Sequence, residues 1–153
     1  MPGPGPILRI SGLYHRKEEV PEEKFHAFCR DYAIKVARIH EKYGTLKYQI
    51  ACTSSSYKAL AQGLETPNLP STHDLEVEYY FKDVATFTSV CADKELEVLR
   101  NTSESYIYRD TARITIAWIE VYLDDGKMVN VDDEGGSLYP SFAELSDIVE
   151  TFV

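Results

Sequence analysis

Residues 7–15, ILRISGLYH, alternate between apolar and polar side chains and are rich in branched residues, which predicts a first strand. The charged KEEVPEEK segment follows, with Pro21 at a helix start and acids where they suit the helix dipole. Through EEKFHAFCRDYAIKVARIHEKYG (22–44) the period changes to that of a helix. Phe25, Phe28, Tyr32, Val36, Ile39 and Tyr43 form a stripe expected to face a sheet, and Gly44 is a natural C-cap. TLKYQIACT (45–53) reads as a second strand. Residues 54–72 form a polar connection, with a short helix in SYKALAQGL and a loop in ETPNLPS. HDLEVEYYF (73–81) is the third strand, and KDVATFTSVCADKELEVLR (82–100) is helical with a break near Ala92-Asp93. NTSESYIYRD reads as a turn-rich link, and TARITIAWIEVYL (111–123) is the longest β run. DDGKMV closes it, and YPSFAELSDIVETF predicts a tail helix starting at Ser141.

The order is β-α-β-β-α-β plus a tail. That order predicts an α+β, ferredoxin-like fold, with an antiparallel sheet, both helices on one face, and the first and third strands at its centre. Leu75, Val77, Tyr79 and Phe81 should share one face of the third strand, and Glu76, Glu78 and Tyr80 the other. The acidic face would be flanked by Arg9 and Lys47 on neighbouring strands, a mildly favourable pairing. The fourth strand is largely apolar on both sides, so something should cover its far face. A second copy of the sheet, giving a two-fold homodimer, is the simplest cover, and the tail helix is its rival.

Charge and composition narrow the partners. The chain has 153 residues, 44% of them hydrophobic, enough for one domain with a core. A net charge of −9 disfavours nucleic acid and anionic membrane, which need a basic surface. There is no long apolar run for a membrane span, and MPGPGP has neither part of a secretory signal, so a cytoplasmic location is expected. Cys29, Cys52 and Cys91 are odd in number and widely spaced, which suits reduced thiols and gives no metal-ligand pattern. No Walker loop, Rossmann fingerprint or nucleophile-elbow motif is present.

The stretches EEKFHAFCRDYAIKVARIHEKYGTLKYQ, HDLEVEYYFKDVATF and DKELEVL…ESYIYRD…ITIAWIEVY resemble the EthD-domain proteins of fungal polyketide clusters. The resemblance covers about residues 7–124 and leaves the tail outside. It divides the chain into an EthD-type domain over 1–124 and a C-terminal tail with a short helix over 125–153. It implies a dimeric α+β barrel and a secondary-metabolite tailoring lyase, either a decarboxylase or a cyclase/dehydratase acting on an aromatic polyketide without a cofactor. A non-catalytic binder of a polyketide or a partner enzyme is the alternative, and superfamily analogy also allows a heme- or flavin-linked monooxygenase component. The chain departs from the family pattern at Cys29, where a tryptophan is common, and at Tyr32-Ala33 and Ala51-Cys52, where histidines are common.

The residues themselves suggest a cleft. Beside the aromatic stripe of the first helix runs a second one, His26, Cys29, Ala33, Ala37 and His40, whose small members leave room above the sheet. Tyr14, Tyr48, Cys52 and Tyr79 would face it, and phenols around a gap suit a flat polyphenolic ligand. The plainer reading, half-buried core tyrosines, stands beside that one. His26 and His40 are fourteen residues apart, roughly 21 Å along a helix, and cannot serve one bond. His40 is accounted for by the C-terminal end of the helix dipole. His26 lies near the first turn, where a positive charge is disfavoured, so it is held in reserve as a base. His73 is expected to share a face with Leu75 and Tyr79 and to be the proton shuttle, with Tyr48 and Tyr14 as hydroxyl donors. Phe28, Tyr32, Tyr79, Trp118 and Asp74 are the expected substrate contacts, and neither metal nor cofactor is signalled.

Overall fold

The computed structural model describes residues 3–147. Strand β1 (Ile7–Arg16) is followed by helix α1 (Glu22–Tyr43), β2 (Lys47–Cys52) and helix α2 (Ser55–Gly63). Then come β3 (Leu75–Phe81), α3 (Val84–Cys91), α4 (Lys94–Ser103) and β4 (Ile107–Ile119). The four strands form one antiparallel sheet in the order β2-β3-β1-β4, so the ferredoxin-like expectation holds, central pair included. The tail makes a hairpin, β5 (Leu123–Asp124) and β6 (Lys127–Met128), and a helix α5 (Phe142–Ser146) with a Ser141–Glu144 capping box. The expected tail helix runs further; its last residues, 148–152, lie outside the described residues.

Local chemistry sets the boundaries. Gly44, at φ 82°, ends α1 in the left-handed region, and its N–H reaches back to the last turn. Asp93 makes the break between α3 and α4: its Oδ1 accepts the Leu96 N–H at 3.0 Å, and its Oδ2 accepts the Tyr43 hydroxyl at 2.6 Å. One side chain thus starts α4 and ties it to the end of α1.

The fourth strand lies four residues earlier than its apolar run suggested, and the supposed link over 101–110 is helix end and strand. Past a bulge between Leu13 and His15, β1 continues to pair with Tyr108 and Ile107. At its other end β1 begins at Ile7, opposite Ile119, so residues 120–122 lie beyond the last pair on β1 and before the tail hairpin. The tail takes up those backbone groups instead: the Val121 N–H donates to the Tyr139 hydroxyl, and Asn130 Nδ2 donates to the Val121 carbonyl.

Helix α1 is held to the sheet by two separate apolar clusters. Val36 and Ile39 pack with Ile10, Phe81, Val90 and Leu96; Phe25 and Cys29 pack with Val20 and Ile107. Between the two clusters the helix presents Tyr32 and Ala33. On the opposite face of the sheet Arg9 pairs with Glu78 at 3.5 Å, and Ser11 donates to Glu76 at 2.7 Å. Lys47 meets no carboxylate among the described residues and lies over the Tyr80 ring instead, 5.4 Å from its centroid. Ile114 and Ile116 on β4 are 67% and 57% exposed. They share the helix-side face with Leu8 and Ile10, so the strand's uncovered apolar residues are on the helix side rather than on the acid-bearing side.

Phe81 is fully buried against α1 and the Phe87 ring. Phe81→Ala should cost about 3–5 kcal/mol, read as a lower urea midpoint at unchanged slope.

Candidate functional site

The gap between the two clusters is a cavity of about 520 Å³, bounded by α1, α3, α4 and the helix-side face of the sheet. That volume lies in the range of small-molecule sites. Its aromatic wall is Tyr14 from β1, Phe28 and Tyr32 from α1, Tyr48 from β2 and Tyr79 from β3. Gly12 helps shape it: a Cβ there would stand 2.6 Å from the Tyr14 hydroxyl, so the Tyr14 ring can fold back over the strand only because position 12 has no side chain.

His40 is also in this wall and is only 3% exposed. Its ring stacks on Tyr79 at 4.6 Å and on Tyr48 at 5.6 Å between centroids. Nδ1 is 2.8 Å from Thr45 Oγ1, which leaves Nε2 without a hydrogen-bond partner among the described residues. In the tautomer that donates Nδ1–H to Thr45, Nε2 carries the lone pair; in the other, the Thr45 hydroxyl donates and Nε2 holds the proton. Burial, with a smaller contribution from Arg100, pushes the His40 pKa down to about 4, so the imidazole is uncharged at neutral pH.

The phenols are donors. Burial raises the pKa of Tyr14, Tyr32, Tyr48 and Tyr79, so each keeps its proton. The Tyr48 hydroxyl is buried and has no hydrogen-bond partner among the described residues. Arg100 of α4 and Arg109 of β4 complete the lining. Arg109 is paired with Glu104 at 3.2 Å, whereas Arg100 has no carboxylate within 4.0 Å among the described residues.

The structure gathers Tyr14, Phe28, Tyr32, Tyr48 and Tyr79 as expected, and disperses the rest. His73 does not line this cavity. It precedes the first paired residue, Leu75, so strand alternation does not orient it, and its ring stacks on His15 at 4.4 Å. His26 is exposed and borders a second cavity of about 340 Å³, beside Cys52 and Asp74. Asp74 acts as a clamp: it accepts the Arg16 N–H at 2.8 Å and pairs with Lys58 at 2.6 Å, tying α2 to the end of β1. Trp118 sits at the far end of β4, where its ring meets Phe142 of α5 edge-on. Cys29, the one residue lining both cavities, is no nucleophile, since burial pushes its thiol up to about 12.

Residues 17–107 match the family described as EthD domain. The chain belongs to the EthD family. A protein of Aspergillus terreus (strain NIH 2624 / FGSC A1156) with the provisional name of oxygenase is 35% identical over 144 residues, 91% of this chain and 90% of the relative. Among solved structures, a dimeric ferredoxin-like protein of unknown function from Bacteroides fragilis NCTC 9343 superposes with a TM-score of 0.55 at 9% identity, over 74% of this chain and 96% of that one. The hydroxynitrile lyase of Passiflora edulis gives 0.54 at 13% identity, over 76% and 96%. At such identities the two structures show the fold alone, and that fold is ferredoxin-like.

In this EthD protein the residue pattern puts His40 beside the aromatic stripe, where the helix dipole alone accounts for it, and carries no signal for Arg100; both line the cavity. Among the described residues no helix is long and apolar enough to cross a membrane, and no cluster of three or more metal-ligating side chains occurs.

The depressed His40 pKa is a stability term. The unfolded chain takes up the His40 proton near pH 6.5, and the folded one only near pH 4. Stability contributed above pH 6.5 is therefore lost as the pH falls through that window, by up to roughly 3 kcal/mol. His73, also lowered by burial, acts in the same direction. Urea titrations from pH 7 to pH 4.5 should show a falling midpoint, and His40→Gln should flatten most of that slope.

Proposed function

We propose that the chain is a tailoring enzyme for an aromatic polyketide acid, in which His40 moves a proton and Tyr48 holds a developing oxyanion. One observation carries this reading: a buried, uncharged imidazole stacked beside a buried phenol that has no partner. The reaction this arrangement suits best is that of a lyase, loss of CO2 from an electron-rich ring. The substrate binds as its carboxylate, and the proton of the ring hydroxyl beside it passes to His40 Nε2. The imidazolium delivers that proton to the ring carbon bearing the carboxylate, which leaves a carbonyl where the hydroxyl stood. The carbon–carbon bond then breaks, CO2 leaves, and the electron pair restores the ring and comes to rest on that oxygen, which afterwards takes a proton from water. Tyr48 donates to the ring oxygen on which charge collects. Proton transfer and hydrogen bonding supply the whole step, so it calls for no metal or organic cofactor.

A second reading, oxygenation, is favoured by the name of the Aspergillus terreus relative. There His40 takes a proton from an activated ring carbon, molecular oxygen adds to the carbanion, and water leaves the resulting hydroperoxide to give a carbonyl. Both readings put the same base on the same ligand. They divide on whether CO2 is released or oxygen consumed.

The working unit in this proposal is a homodimer of the domain over 1–124, with 125–153 as its appendage. Ile114 and Ile116, uncovered by any helix among the described residues, support it. Among the described residues the tail meets β4 at Trp118 and leaves both isoleucines bare. Sedimentation at micromolar protein should give twice the chain mass of 17.4 kDa; a solitary 17.4 kDa particle would remove the dimer.

Purified protein incubated with a panel of aromatic polyketide acids should release CO2 without taking up oxygen, read by mass spectrometry and an oxygen electrode. His40→Gln should lower kcat by about 10²–10⁴-fold, while His73→Ala stays within a few-fold of wild type. Oxygen uptake with oxygenated product would select the second reading. Saturable binding with no product would leave a non-catalytic binder.

A further inference from the structure

We propose that Arg100 is the anion anchor of the aromatic cavity, so that the site selects ligands carrying a carboxylate on an aromatic ring. The inference deepens the proposed function and rests on its choice of cavity.

Its first support is placement. On α4, Leu96 and Ser103 are 3% and 8% exposed, and Arg100 lies four residues after one and three before the other. It therefore stands on the buried stripe of its helix, where arginine is rare without a partner. Arg100 lines the cavity, and its one side-chain hydrogen bond among the described residues is from Nη2 to Cys91 Sγ, at 3.6 Å, Cys91 being itself a lining residue.

The second support is charge. The chain carries nine more acidic than basic side chains; Arg9 and Lys58, which are also partly buried, find carboxylates, while Lys47, unpaired among the described residues, is on the opposite face of the sheet. Arg100 finds none among the described residues. Holding a half-buried cation away from water without an anion is costly, and a bound anion would offset that cost. Arg109 cannot take the role: it is exposed, paired with Glu104, and donates to the Arg100 carbonyl oxygen at 3.0 Å.

The third support is the balance of donors and acceptors. Tyr14, Tyr32 and Tyr79 all feel the Arg100 charge, as does His40, so the guanidinium lies within electrostatic reach of three strand or helix walls. The phenols keep their protons. A cavity furnished with hydroxyl and guanidinium donors needs a ligand rich in acceptors. A carboxylate is acceptor-only and matches the planar fork of an arginine with two parallel bonds. With the carboxylate on Arg100, the attached ring would lie among the tyrosines, within reach of His40.

The test is equilibrium binding, which is independent of turnover. The probes are a hydroxynaphthoic acid and its methyl ester, titrated by calorimetry into wild type, Arg100→Met, Arg100→Lys and Lys47→Met. Wild type should bind the acid at least about tenfold more tightly than the ester, the worth of one charge-assisted contact. Arg100→Met should lose that preference while its affinity for the ester stays within about twofold, which also shows that the cavity is intact. Arg100→Lys should keep part of the preference, and Lys47→Met, on the far face of the sheet, all of it. Equal binding of acid and ester by wild type, or an undiminished preference in Arg100→Met, would overturn the proposal. Failure of wild type to bind either probe would overturn it together with the choice of cavity. Arg100-dependent binding with no turnover of any acid would sustain the anchor and sink the lyase.

Discussion

The seating of α1 on the sheet at two places, and not along its whole length, is the constraint on which the site depends. Val36 and Ile39 close one contact against Phe81, and Phe25 and Cys29 close the other against Val20 and Ile107. Each cluster excludes water and fixes one end of a 22-residue helix. Between them the sheet offers large phenols, and the helix offers Tyr32 and the small Ala33. Rings of that size hold the surfaces apart, so the gap between two close-packed regions persists as a cavity. Were α1 attached at one end only, nothing would hold the walls at a set separation.

That geometry explains the electrostatics of the interior. His40 belongs to the tighter contact and is buried because its neighbours Val36 and Ile39 are. Burial makes the charged imidazole costly, and Thr45 holds one ring nitrogen, so the other is left uncharged at the cavity wall. Arg100 arrives from the opposite side on α4, whose start is tied to α1 by the Asp93–Tyr43 contact. A base, neutral hydroxyl donors and a cation converge from α1, the sheet and α4. The acid-rich face of the sheet keeps its ion pairs on the other side, so the negative surface and the cationic pocket are separated by the thickness of the sheet.

The architecture was legible because short-range rules produce it. Period-two alternation located β1, β2 and β3; the 3.6-residue stripe and Gly44 bounded α1; Ala92-Asp93 marked the break between α3 and α4. The displaced ends of β4 show the limit of such rules. An apolar run says where a strand can form, but the length of its partner says where it does, and β1 supplies partners only from Ile7 to Arg16. His73 fails for a related reason: alternation was extended two residues beyond the first paired position, where no ladder holds the backbone to a pleat.

By itself the sequence determined the order of the elements, the antiparallel sheet, the faces of the paired strands and the collection of phenols above one of them. These follow from local periodicity and capping, which act between residues a few positions apart. Only the tertiary structure decided which titratable groups meet. His40, Tyr48 and Arg100 lie on three different elements, and their encounter depends on the height at which α1 rides over the sheet and on where α4 is tied down. Those distances come from packing between parts of the chain far apart in sequence, and no repeat in the sequence records them.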